Sequence, residues 1–136
     1  MATKIFVNLP VKDLNRSIGF FTALGFRFNP QFTDESATCM IIGDDIFVML
    51  LVEARFRDFT PKPVADATKT TEVLVCLNLD SKAGVDAMVD AALRSGASKN
   101  RDLMDYGFMY GRSFNDPDGH IWEIMWMDPD HVHQRH

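Results

Sequence analysis

The sequence predicts an α+β fold built from two βαβββ modules in tandem. Three observations predict it. Strand-like runs and an amphipathic helix recur in the same order in each half of the chain. Each helix pattern stops at a glycine, Gly25 and Gly96, placed as a C-cap. The third is composition: 136 residues, 46% hydrophobic and 24% charged, suit one globular domain with a real core.

Module 1 covers about residues 4–53. Residues 5–9 form a strand, and Asp13 before Leu14 opens a helix carrying Ile18, Phe20, Phe21 and Leu24 at helical spacing. Residues 26–32 are strand-like, with Pro30 disrupting the run. Residues 37–42 and 46–52 are strands around a Gly43-Asp44-Asp45 turn. Residues 54–71 break the pattern with mixed charges, Pro61 and Pro63. They read as a short helix or loop and then a linker, serving as a surface connection or as a lid. Module 2 covers about residues 72–128. Residues 73–79 are a strand. Residues 83–94 form a helix with Val85, Met88, Val89, Ala92 and Leu93 on one face. A short strand follows at 98–103, then strands at 109–114 and 121–127 around Asp116-Pro117-Asp118-Gly119. Residues 129–136 are a tail. With His131, His133 and His136 it reads most simply as a frayed end to which no chemistry is assigned, though three imidazoles can pick up adventitious metal.

Charge excludes several functions. A net charge of −5 argues against nucleic acid and against an anionic membrane surface. No apolar run approaches the roughly 18 residues of a membrane helix, and no signal-peptide core precedes the first strand. A cytoplasmic location is the expectation. Cys39 and Cys76 form no CxxC pair and lie in apolar strands, where buried thiols are expected; a pocket thiol is the sharper reading of Cys76. His120, after the turn glycine, is expected to be exposed.

One residue demands an explanation. Glu123 is a lone carboxylate in an apolar strand, and burying an unpaired charge is costly. A metal ion or an arginine would each answer for it. With a four-residue loop at 116–119, Asn115 lies opposite His120 and Arg112 lies opposite Glu123, where a bidentate pair can form. Tyr110 then shares their face. A one-residue shift would send Arg112 to the other side.

The opening Val7-Asn8-Leu9-Pro10-Val11-Lys12-Asp13-Leu14, with Ser17, Phe20-Phe21 and Leu24-Gly25-Phe26, resembles the vicinal oxygen chelate superfamily. That superfamily includes glyoxalase I, bleomycin-resistance proteins, fosfomycin-resistance enzymes and extradiol dioxygenases. The closing Asp116-Pro117-Asp118-Gly119 with Glu123 resembles the family's last hairpin, so the likeness spans residues 4–128. It implies curved mixed sheets around a trough, and a homodimer. Its enzymes hold a divalent metal with four side chains, one from each of four strands. Carried over position by position, those ligands fall at about Phe6, between Val48 and Leu50, at about Leu74, and at Glu123. Only Glu123 has a donor, whereas catalytic sites need about three protein ligands.

The leading expectation is therefore a protein that binds a small apolar or aromatic molecule in the trough, without the family metal. Asn8, Cys76, Tyr106, Tyr110, Arg112 and Glu123 are its expected ligand-binding residues, with Glu123 also the one catalytic candidate. One alternative is a lyase or dioxygenase using Zn, Ni, Fe or Mn, in which the metal is a Lewis acid toward vicinal oxygens. Another is a vestigial pocket with a protein-contact role.

Overall fold

The computed structural model describes residues 3–130. The chain divides into two compact units, one ending at Ala65 and the other starting at Asp66.

In the first unit, β1 (Ile5–Val11), β2 (Arg27–Asn29), β3 (Ala37–Gly43) and β4 (Ile46–Val52) form a sheet ordered β1-β4-β3-β2. β1 runs parallel to β4, and the other neighbours are antiparallel. Helix α1 (Leu14–Ala23) packs on β3 and β4. It starts where the Asp13 carboxylate accepts the Arg16 N–H at 3.1 Å, an N-cap worth about 1 kcal/mol. Phe20, Phe21, Leu9, Met40, Val48 and Leu50 are almost completely buried. β2 is shorter than the alternation predicts. Pro30 lacks the N–H that a ladder needs and starts a 3₁₀ turn, Pro30–Phe32. A one-turn helix, α2 (Glu53–Phe56), and a 3₁₀ turn, Arg57–Phe59, follow β4.

The second unit repeats the plan. β5 (Leu74–Asn78) runs parallel to β9 (Ile121–Met127), which pairs antiparallel with β8 (Met109–Asn115). Two short pieces, β6 (Ser98–Lys99) and β7 (Met104–Asp105), both pair with β8. Helix α3 (Lys82–Arg94), capped by Ser81, covers one face of this sheet. Trp122, Ile124 and Phe114 point into that contact and are fully buried. The opposite face, here the far face, carries Cys76, Glu123 and Ser113 side by side on β5, β9 and β8.

The register of the last hairpin differs from the expected one by a residue. Asp116 N–H bonds the His120 carbonyl, so the loop is Pro117-Asp118-Gly119 alone. Ser113 lies opposite Glu123, and Arg112 lies opposite Ile124. The Asp116 carboxylate is the reason. It accepts the N–H groups of Asp118 (2.9 Å) and His120 (3.0 Å), which draws Asp116 into the ladder. Because side chains alternate along a strand, that single step moves Arg112 away from Glu123 to the helix face. The expected Arg112–Glu123 pair does not form.

Arg112 instead donates to Asp86 (2.9 Å) and meets Asp90 (3.0 Å), both on α3. Tyr110 donates its hydroxyl to the same Asp86 oxygen at 2.6 Å. Tyr110 and Arg112 do share a face, as expected, but they tie the helix to the sheet. The Tyr110 hydroxyl, partly opposed by burial, and the Arg112 guanidinium hold the Asp86 carboxyl below its ordinary range.

The expected strand at 98–103 is broken. From Lys99 opposite Phe114 to Met104 opposite Gly111, the edge advances five residues while β8 advances three. The two extra residues make residues 100–103 a bulge. A regular edge would have set Arg101 opposite Arg112, and like charges directly opposed are destabilising.

Candidate functional site

The bulge solves the problem of Glu123. Released from the ladder, Arg101 reaches the far face and forks onto the carboxylate: Nη2 bonds Oε2, and Nε lies 3.4 Å from Oε1. Only 14% of the Glu123 side chain is exposed, against 32% of Arg101, so the pair is half-sheltered rather than a surface bridge. Arg101 Nη1 also donates to the Asp102 carbonyl at 3.4 Å, and Asn100 donates to Ser113 Oγ at 3.3 Å. Those two bonds and the exposed Lys99–Asp102 ion pair at 2.6 Å anchor the bulge.

Around Glu123 the far face is mostly apolar. Its β5 partner is Cys76 and its β8 partner is Ser113; Ile121 and Met125 flank it along β9. Leu74, two residues before Cys76, is 57% exposed. Gly111 leaves a gap that the ends of Met125 and Met104 line, both within 4 Å of where a Cβ would stand. Cys76 is exposed, contrary to the expectation of two buried thiols, whereas Cys39 is buried as expected. Local burial and then the Glu123 charge push the Cys76 thiol up, with Arg101 opposing. Native protein should therefore alkylate with iodoacetamide at Cys76 and not at Cys39. The midpoint of the pH–rate curve should lie above the ~8.5 of a free thiol. Glu123→Gln should lower that midpoint, and an unmoved midpoint would show that the carboxylate does not act on the thiol.

The remaining expected residues are dispersed. Tyr106 lies in the turn joining β7 to β8, is 60% exposed and stacks on Phe108 with ring centres 6.5 Å apart. Asn8 belongs to the first unit, where it is exposed on β1 and donates to the Phe6 carbonyl at 3.4 Å. Tyr110 and Arg112 occupy the helix face. Arg101 was missed. In sequence it sits in Lys99-Asn100-Arg101-Asp102, a run that reads as a solvated turn. The clue was the like-charge clash with Arg112 that a regular edge would impose.

A second polar cluster sits at the hairpin turn. His120, expected to be exposed, is 2% exposed, with Nδ1 2.7 Å from Glu72 Oε1. Trp122 Nε1 donates to Asp116 Oδ2 at 3.0 Å. Burial raises the Asp116 carboxyl above its ordinary range despite those bonds. The cluster joins residues 66–72 to the hairpin and is a structural hub.

The donor set does not fit the family metal. Phe6, Leu74 and residues 48–50 (Val48, Met49, Leu50) offer no imidazole or carboxylate, and Glu123 is held by Arg101. Among the described residues no three His, Cys, Asp or Glu side chains gather as metal ligands. His131, His133 and His136 lie outside the described residues. No helix of the described residues is long and apolar enough to cross a membrane.

Comparison with known proteins bears on identity. Residues 3–43 match the family model described as bleomycin resistance protein-like N-terminal. No curated protein matches the chain by sequence. Among solved structures, hypothetical protein SA1046 from S. aureus is 28% identical with a TM-score of 0.77, over 93% of this chain and 95% of that one. A glyoxalase/bleomycin resistance protein/dioxygenase family enzyme from Burkholderia phytofirmans PsJN is 16% identical, TM-score 0.75, over 93% and 99%. The fosfomycin resistance protein FosX from Mesorhizobium loti is 15% identical, TM-score 0.70, over 97% and 98%. At such identities the last two show a shared fold. The duplicated βαβββ plan, the matched opening segment and the likeness over most of its length show that the chain has the fold of the glyoxalase/bleomycin resistance protein/dioxygenase structures and is similar in its opening segment to bleomycin resistance protein-like N-termini.

Proposed function

We propose that this chain binds a small, largely apolar or aromatic molecule on the far face of its second sheet, without the family's metal. One observation carries the reading. Glu123, the one family ligand position with a donor, is neutralised by Arg101 from the chain itself. The face around it supplies what a small-molecule site uses: apolar side chains with a few placed polar groups. Leu74, Ile121 and Met125 provide the surface, with thioethers that adapt to an aromatic ring. Cys76, Ser113 and the Arg101–Glu123 pair provide the polarity. Tyr106 remains a proposed rim contact, and Asn8 a candidate of the first unit taken by itself. The reading includes the homodimer that family resemblance implies, to which exposed Ile5 and Phe6 lend apolar surface. It also includes a cytoplasmic location.

The test is metal content followed by binding. Full-length protein with His131, His133 and His136 replaced by alanine is expressed with Zn, Ni, Fe and Mn. Bound metal is then quantified. The expected result is far less than one ion per chain, and thermal stabilisation by aromatic compounds that Glu123→Ala abolishes. Near one ion per chain, lost in Glu123→Ala, would make a metal-dependent lyase or dioxygenase the better reading. Unchanged ligand affinity in Glu123→Ala would reduce Glu123 to a structural role.

A further inference from the structure

We infer that Arg101 is a built-in stand-in for the cationic group of the ligand, and that binding proceeds by exchange of one cation for the other on Glu123. The inference rests on the small-molecule reading above and names the ligand class. Glu123 is mostly sheltered, so it stays paired at every stage, because an uncompensated sheltered charge is costly. Arg101 is the more exposed member of the pair and sits on the bulge of residues 100–103 rather than on a ladder strand. Two of the anchors of that bulge, at 3.3 and 3.4 Å, are long, and the third, the Lys99–Asp102 ion pair at 2.6 Å, is exposed. On the bulge Asp102 has a side chain 93% exposed and Leu103 is 54% exposed. Apart from the Glu123 pair itself, the bond on the Arg101 side chain that opposes an outward swing into water is the long one to the Asp102 carbonyl.

The incoming group must then replace a guanidinium. An amidinium or guanidinium repeats its planar fork onto a carboxylate. Attached to an aromatic ring, it would lay that ring on Leu74, Ile121 and Met125. An anion would stand beside Glu123 and meet repulsion. A neutral molecule would leave Arg101 in place and meet the intact Arg101–Glu123 pair, without the gain of a direct ion pair to the carboxylate.

The experiment titrates full-length, ¹⁵N-labelled protein with benzamidine, benzamide and benzoate, probes of one shape and three charges. The amides of Cys76 and Gly111 and the Arg101 side-chain Nε–H are followed by NMR. Benzamidine is expected to shift both amides and move the Arg101 Nε–H toward its solvent-exposed position. Arg101→Ala removes the internal competitor and should bind benzamidine about fivefold more tightly, the scale set by a partly exposed ion pair. Arg101→Gln keeps the stem and serves if the alanine variant does not fold. Glu123→Gln should lose the amidine preference. Equal or weaker benzamidine binding after loss of Arg101 overturns the exchange. So does a preference for benzoate that disappears with Arg101. If the amidine shifts neither protein, the exchange is overturned as well; shifts by benzamide or benzoate then show that the small-molecule reading stands without it.

Discussion

Gly119→Ala should destabilise the protein by about 2–5 kcal/mol, combining about 1–2 for a left-handed backbone with a Cβ and about 1–3 for overpacking. Gly119 has φ +91°, and a Cβ there would lie 2.8 Å from the carbonyl carbon and oxygen of Ala67 and from the Thr68 nitrogen. Those atoms are backbone, so they cannot rotate aside. Residues 66–68 would have to move, although the Asp66 carboxylate holds them by accepting the N–H (3.0 Å) and hydroxyl (2.6 Å) of Thr68. Gly107 provides the control, with φ +81° and open space where its Cβ would be. Gly107→Ala should cost only the backbone share, about 1–2 kcal/mol. Denaturant midpoints at constant slope measure both. Equal losses in the two variants would show that the contact with residues 67 and 68 is not close.

The second large effect is expected at Asp116. Asp116→Ala removes the acceptor for two backbone N–H groups and the Trp122 indole, leaving three sheltered donors without it. At about 1–3 kcal/mol for each buried unsatisfied group, a loss of at least 3 kcal/mol is expected. Asp116→Asn keeps the Oδ1 bonds but turns an amide N–H toward the Trp122 N–H, so its loss should be smaller. Trp122→Phe should then cost less in the Asn background than in wild type. Additive losses would mean that the indole bond contributes little.

The pH dependence has a definite sign. Burial raises the folded Asp116 carboxyl, so the folded state holds its proton more tightly than the unfolded one. Its contribution is therefore fully present below the ordinary ~3.9 and is lost as pH rises through the raised folded value. The advantage of wild type over Asp116→Asn should shrink as pH rises from about 4.

Most of the second hairpin was legible, and its one misreading shows why local pattern falls short. Turn chemistry at 116–119 and alternation in residues 121–127 locate both strands. They do not decide whether Asp116 belongs to the loop or to the ladder. That depends on whether its carboxylate finds the Asp118 and His120 N–H groups, a choice of about one hydrogen bond. The choice moved Arg112 from one face to the other. His120 went from expected exposure to burial because Glu72, 48 residues earlier, reaches it.

By itself the sequence determined the duplicated βαβββ plan, because periodicities of 3.6 and 2 and glycine or proline stops are local properties. It also showed that a lone carboxylate in the apolar run 121–127 needs a partner. Which partner was decided only in three dimensions. Arg101 and Glu123 are 22 residues apart, and they meet because a two-residue bulge turns the edge of the sheet toward its far face. A bulge reflects the balance of repulsion and pairing across strands, and no short window of residues contains that balance.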